Sequence, residues 1–141
     1  MSEEQAQQLM QQMQMLETYF TDLSQRESTL YGVLREATSA IASIKALGEK
    51  PTSEALVPVG MGTFVKTKIA SDDKIVLNVG AGISLEKDST SAINYLEARI
   101  KEIEVAIQDT TTKKNDAAAQ LEQGKSQINQ LIQAESQNKK G

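Results

Sequence analysis

The sequence predicts an α+β protein in which a long antiparallel two-helix coiled coil carries two β-hairpins between its helices. The first observation is that both prolines and all but three of the eight glycines lie within residues 48–88. The second is a heptad pattern in each flank, and the third is a centre that alternates β-branched residues with turn residues. We therefore expect one structural unit over residues 1–141, with helices at 1–47 and 89–138 around a hairpin region at 48–88.

The first flank carries an apolar stripe that recurs at alternating steps of three and four residues. Eleven of its twelve positions are apolar: Ala6, Leu9, Met13, Leu16, Phe20, Leu23, Glu27, Leu30, Leu34, Ala37, Ile41 and Ile44. A stripe sustained over more than five heptads is typical of a coiled-coil helix. One helix cannot bury this stripe alone, so the sequence predicts a partner helix.

The last flank supplies that partner. It begins after a cluster of N-cap residues at 88–91, and nine of its twelve stripe positions are apolar when alanine is counted: Ile93, Leu96, Ile100, Ile103, Ile107, Thr110, Lys114, Ala117, Leu121, Gly124, Ile128 and Leu131. Because both helices adjoin the short centre, we expect an antiparallel pair whose facing positions sum to about 137. Glu27 then faces Thr110 within a turn of Lys114, which we interpret as a tolerated polar layer or a register device.

The centre reads as four strands in two hairpins. Strands are expected at Ala55–Val57 and Thr63–Ile69, and after a turn at 71–73 again at Ile75–Val79 and Ile83–Leu85. The sequence repeats itself here every 20 residues, since 59–62 matches 79–82. No Gly-x-Gly-x-x-Gly motif opens a helix and no Gly-Lys-Ser/Thr occurs, so we read the glycines as bulges and tight bends rather than a phosphate cradle. Isolated hairpins are marginal in water, and we expect their open edges to close with other subunits.

Composition removes most other functions. The chain has no cysteine and no histidine, which excludes disulfides, thiolate chemistry and imidazole general bases, and its net charge of −4 argues against nucleic-acid binding. No apolar run approaches the roughly 18 residues of a membrane span. Carboxylates, lysines and hydroxyls do not cluster with catalytic spacing. We therefore expect no enzyme activity, no catalytic residues, no cofactor, no metal and no membrane or nucleic-acid partner, and a cytoplasmic location.

Two glycine-bearing segments between long helices carry a family resemblance. Residues 56–66 read LVPVGMGTFVK and residues 77–87 read LNVGAGISLEK. Together with the heptad flanks they resemble the archaeal-type prefoldin α-class subunit over essentially the whole chain. The 20-residue repeat fits the α class, whose members carry two hairpins where β-class members carry one.

The resemblance implies an ATP-independent chaperone subunit. Members form hexamers of two α and four β-class subunits, in which the hairpins build an oligomeric β-barrel platform and the coiled coils project from it. They hold non-native client proteins at the coiled-coil tips and deliver them to a group II chaperonin. Assembly residues are expected in the strands: Leu56, Val57, Val59, Phe64, Val65, Ile69, Ile75, Leu77, Val79 and Leu85.

Candidate client-binding residues lie where the two chain ends should meet, at the tip far from the strands. Four of the five methionines fall within the first 15 residues, and methionine adapts to many partners. The candidates are Leu9, Met10, Met13, Leu16, Ile128, Leu131 and Ile132. Helix packing alone is the alternative explanation for them. At the level of function, the alternative is a structural coiled-coil adaptor or prefoldin-like scaffold that binds no client.

Overall fold

The computed structural model describes residues 3–139 and contains two long helices with two β-hairpins between them. The elements in chain order are α1 (Glu3–Leu47), β1 (Thr52–Gly60), β2 (Thr63–Ala70), β3 (Ile75–Gly80), β4 (Ile83–Lys87) and α2 (Ser89–Lys139). β1 pairs with β2 and β3 with β4, each pair forming a separate antiparallel two-stranded sheet. The predicted fold class is therefore confirmed.

The chain divides into two compact units, which we describe one at a time. The helical unit contains residues 3–31 of α1 and 105–139 of α2, and the hairpin unit contains residues 32–104 with all four strands. The prediction of a single unit over residues 1–141 stays a prediction.

In the helical unit, the heptad stripes form the seam between the helices. Each stripe position of this unit is buried or half-buried, whereas the residues between them are mostly exposed. The side chain of Met13 lies against Gly124, a pair whose numbers sum to 137. The predicted antiparallel register is thus confirmed, because a shift of one heptad step would separate these two positions.

In the hairpin unit, one strand packs on the adjoining helix ends. Leu77 of β3 joins Ile44 of α1 and the fully buried Ala92 of α2 in an apolar core. The partly buried residues around it are Ile75, Val79, Ile93, Tyr95 and Leu96. Alternation along β3 places residues 75, 77 and 79 on one face, so this face is the one used within the chain.

Both hairpins turn through two residues. The connections are Met61-Gly62 and Ala81-Gly82, and all four residues have positive φ, as a type I′ turn requires. The register shifts just before each turn, between Pro58 and Gly60 in the first hairpin. The sequence had predicted residues 58–62 as the connection, and this is wrong for 58–60, which belong to β1. A proline is tolerated there because it sits on an edge strand beside a bulge.

Helix α2 begins with the predicted capping residue. Asp88 Oδ1 accepts a hydrogen bond of 2.8 Å from the backbone N–H of Ser91. This bond satisfies one of the unpaired N–H groups of the first turn, and it holds the pKa of Asp88 below its ordinary value because it favours the charged carboxylate. The cap therefore fixes where the strand segment ends and the second helix starts.

Candidate functional site

A groove lies in the helical unit between the start of α1 and the end of α2. We call it the terminal groove; it has a volume of about 550 Å³ and is lined by Gln5, Gln8, Leu9, Gln12, Gln127, Gln130, Leu131 and Ala134. Leu9 and Leu131 are half-buried and form its apolar floor, while the glutamines are exposed. Its volume is in the range of ligand-binding clefts, and a half-exposed apolar floor is what a non-native chain can contact.

The predicted client-binding residues occupy different environments around this groove. Leu9 and Leu131 line it together, and Leu16 and Ile128 are half-buried in the seam. Met10 and Ile132 are 57% and 61% exposed, although both are large and apolar. Their exposure widens the apolar band beyond the seam, as the sequence predicted. The role of all these residues in client binding stays a prediction.

Met13 differs from the other candidates because it is buried. Any Cβ added at Gly124 would overlap the Met13 sulfur and would lie 3.1 Å from its Cε. The glycine therefore provides the hole into which the methionine packs. In this structure Met13 contributes to the seam and does not face the terminal groove.

Exchanging the sizes of these two residues tests the packing directly. Gly124→Leu should lower the free energy of unfolding by about 1–3 kcal/mol through overpacking. Met13→Ala should lower it by about 2–4 kcal/mol through the cavity that it leaves. The double variant should cost less than the sum by at least about 1 kcal/mol, measured by denaturant melts, because the leucine fills the vacated space. Strict additivity would show that the two side chains do not meet.

A polar layer interrupts the seam at Glu27. Thr111 Oγ1 donates a hydrogen bond of 2.6 Å to Glu27 Oε2, and Lys114 Nζ donates one of 3.2 Å to Oε1. The lysine ammonium also lies 5.5 Å from the centroid of the Phe20 ring. The sequence placed Thr110 opposite Glu27, and Thr110 is buried. The hydrogen bond to Glu27 comes from the adjacent Thr111, and the predicted proximity of Lys114 is confirmed. The carboxylate of Glu27 thus accepts hydrogen bonds from the hydroxyl of Thr111 and the ammonium of Lys114. This pairing within the seam fits a device that sets the register of the two helices.

Acidification should weaken this layer through Glu27. The hydrogen bond from Thr111 and the bond and charge of Lys114 hold the pKa of Glu27 below its ordinary value. Its contribution to stability is therefore complete above the unfolded-state pKa, about 4.3, and is lost as the pH falls through the lower folded-state value. We expect Glu27→Gln to lower the melting temperature at pH 7. At lower pH the melting temperatures of the variant and the unmodified protein should converge.

The control for that prediction is Glu17→Gln, which removes a carboxylate from an exposed position of the same helix. Because this side chain is exposed, the variant should lower the melting temperature at pH 7 by less than Glu27→Gln does. If the Glu27→Gln variant remained equally destabilised down to the lowest pH at which both proteins fold, the layer would act through shape and not through the charge of Glu27.

The predicted assembly residues separate into two groups. Leu77, with Ile75 and Val79, packs on the helices of its own chain, and Ile69 is half-buried. The others are exposed apolar side chains on strands: Leu56, Val57, Val59, Phe64, Val65 and Leu85. Val76 and Ile83, which sequence reasoning did not select, are exposed in the same way. The exposed group leaves both hairpins with apolar surface that is not covered within the chain.

Within residues 3–139, acidic side chains do not gather in a group of three or more that could hold a metal ion. Neither α1 nor α2, over the same residues, has a stretch long and apolar enough to cross a bilayer.

Sequence reasoning missed the glutamine rim of the terminal groove. The spacing i, i+3, i+7 of Gln5, Gln8 and Gln12 places them on one helix face and was the available signal. A matching pair on α2, three residues apart at 127 and 130, completes the rim.

Comparison with solved structures defines the class of this fold. The chain superposes with a TM-score of 0.69 on a filamentous PFD from Methanocaldococcus jannaschii solved by cryo-electron microscopy, with 23% identity, covering 81% of this chain and 95% of that one. The crystal structure of the prefoldin beta subunit from Thermococcus strain KS-1 gives a TM-score of 0.64 with 16% identity, covering 90% and 91%. The fold is thus that of coiled-coil proteins that carry hairpins between their helices.

Sequence comparison identifies the family. A family model described as prefoldin subunit matches residues 2–134. Prefoldin subunit alpha of Nitrosopumilus maritimus (strain SCM1) is 70% identical over 138 residues, which cover 98% of this chain and 95% of that protein. Prefoldin subunit alpha of Methanospirillum hungatei is 30% identical over 136 residues, which cover 89% and 91%. The chain belongs to the prefoldin family, and its role is of the chaperone type.

Proposed function

We propose that this chain is an ATP-independent holdase and co-chaperone subunit that binds unfolded proteins at the terminal groove and passes them to a group II chaperonin. The observation that carries the proposal is the apolar surface at this end of the helical unit: half-buried leucines form the floor of the groove, and Met10 and Ile132 are exposed on the same two helix segments outside it. The relatives named prefoldin subunit alpha support the same role.

The driving force for holding a client is removal of apolar surface from water. Burial contributes about 25 cal/mol per Å², so a single groove holds a client weakly. Weak contacts at several copies add through avidity when one unfolded chain reaches more than one groove. Such binding needs no nucleotide, because release can follow from the weakness of each individual contact.

The partners we propose are β-class prefoldin subunits, in a hexamer of two α and four β chains. The exposed apolar residues on both hairpins support this, because two-stranded sheets with uncovered faces and open edges are marginal alone. Closing the strands of several chains into a shared barrel would cover them. We propose a cytoplasmic site of action, where a chaperonin would receive the client.

Suppression of aggregation is the experiment that tests this function. The chain, purified with its partner subunits, should keep a chemically denatured protein from scattering light after dilution, with no ATP present. Addition of a group II chaperonin and ATP should then restore the client's activity. If the complex fails to suppress aggregation of several unrelated clients, the chain is a structural scaffold and not a holdase.

A further inference from the structure

We propose that the terminal groove recognises the main chain of its client: the glutamine rim hydrogen-bonds the peptide groups of an extended, uncharged apolar segment that lies on the leucine floor. This inference rests on the proposed function and deepens it by naming the class of segment that is held. The juxtaposition that carries it is a rim of five carboxamides around two leucines.

The lining carries no charge. All eight residues of the groove are glutamine, leucine or alanine. A charged client segment would have to lose water there without gaining an ion pair, which is costly. An uncharged apolar segment loses little water from its side chains and gains the contact of Leu9 and Leu131. The groove therefore selects against charge of either sign.

A purely apolar groove would leave the peptide groups of a bound client without hydrogen-bond partners. Each peptide group of a bound client carries an N–H donor and a C=O acceptor, and covering them without partners costs more than the contact returns. A glutamine side chain ends in a carboxamide, which resembles the peptide group. It offers two N–H donors and one accepting oxygen. Among the side chains of residues 3–137, the rim glutamines make no side-chain hydrogen bond to another residue, so within that range their carboxamides are free to serve a client.

The spacing of the rim suits an extended chain. Gln5, Gln8 and Gln12 span about 10 Å along α1, at 1.5 Å per residue. Equivalent peptide groups of an extended chain recur about every 6.6 Å, so this length faces two or three of them. A helical client would offer none, because its peptide groups already bond to one another. The occupant is therefore an extended segment.

Replacement of the rim by methionine isolates the carboxamides. Methionine has nearly the same length and helix propensity as glutamine but offers no amide. The test variant carries Gln→Met at positions 5, 8, 12, 127 and 130. The matched control carries five Gln→Met changes at exposed positions outside the groove, namely 7, 120, 123, 133 and 137. Both variants gain the same apolar surface.

The probes are two fluorescent ten-residue peptides of alternating leucine and serine, one with N-methyl groups on alternate backbone amides. The unmodified full chain, purified with its partners, should bind the N-methylated peptide about tenfold more weakly, since a few hydrogen bonds are lost. The control variant should show the same ratio, and the rim variant a ratio below about twofold. The conformational effect of N-methylation is common to all three proteins and cancels in this comparison.

An equal ratio for the rim variant and the unmodified protein would overturn the inference, since the carboxamides would then not sense the client's peptide groups. That result would leave the proposed function intact if both proteins still suppress aggregation. Failure of the unmodified protein to bind either peptide or to suppress aggregation would overturn the proposed function together with the inference.

Discussion

Removal of residues 1–12 and 127–141 should weaken the holding of unfolded clients by more than about tenfold while leaving the assembly intact. The removed segments contain all eight residues that line the terminal groove, together with Met10 and Ile132. Because we propose that several grooves bind one client, we expect a loss of affinity at each groove to be multiplied in the avidity of the whole complex. The measurement is suppression of aggregation at equal concentrations of complex.

Two milder variants serve as matched tests of the same prediction. Met10→Gln with Ile132→Gln changes exposed side chains only, so it should weaken holding without lowering the melting temperature. Val105→Gln replaces an exposed apolar residue, 68% exposed, that lies outside the groove, and it should have no effect. Full protection of clients by the trimmed complex would move client binding to the hairpins or to the partner subunits.

Charges placed on the first hairpin should prevent assembly. Val57 and Val65 face each other across β1 and β2 and are both exposed. The pair Val57→Lys with Val65→Glu keeps a favourable cross-strand contact within the hairpin but would bury two charges against any partner. We expect association with partner subunits to weaken about a hundredfold or more, measured by the mass of the complex.

The control places the same two charges elsewhere. Val105→Lys with Met15→Glu alters two exposed apolar residues of the helical unit, and its complex should keep the normal mass. A normal mass for the Val57/Val65 variant would show that this face of the hairpin is not the assembly surface. Circular dichroism of the isolated chain checks that the helices are unchanged in both variants.

The helices could be predicted almost completely from the sequence. Each heptad position is buried or half-buried, and Met13 meets Gly124 at the expected sum, because the short centre leaves an antiparallel pair only one economical register. The hydrogen bond from Thr111 to Glu27 was not predicted. Heptad spacing places backbone positions opposite one another but does not say which neighbouring side chain reaches across.

The hairpins were harder to predict in detail. Pro58 suggested the start of a connection, yet a proline on an edge strand beside a bulge leaves the strand intact. The two repeats also look alike, but Leu77 is 8% exposed whereas Val57, its equivalent 20 residues earlier, is 47% exposed. Tertiary packing decides which hairpin face the helices cover. The repeated strand pattern is the same in both hairpins and therefore does not predict it.

The site could be predicted only in its apolar part. Leu9 and Leu131 follow from the heptad stripe, whereas Met10 and Ile132, which were predicted from their position off it, are exposed and do not line the groove. The glutamines were missed because polar residues between heptad positions are usually solvated, and the sequence pattern of a single helix does not mark them as part of a groove. Only their convergence from two helices on one groove distinguishes five of them from the other glutamines of the chain.

Site-specific photo-crosslinking tests the central claim most directly. A photoreactive amino acid replaces Met10, Ile132 or Val105 in turn, three exposed apolar positions whose replacement should leave the seam undisturbed. The assembled complex is mixed with a labelled unfolded client and irradiated without ATP. We expect strong crosslinks from positions 10 and 132 and only background from position 105. Equal crosslinking from all three positions, or none from 10 and 132, would contradict client binding at the end of the helical unit that contains the terminal groove.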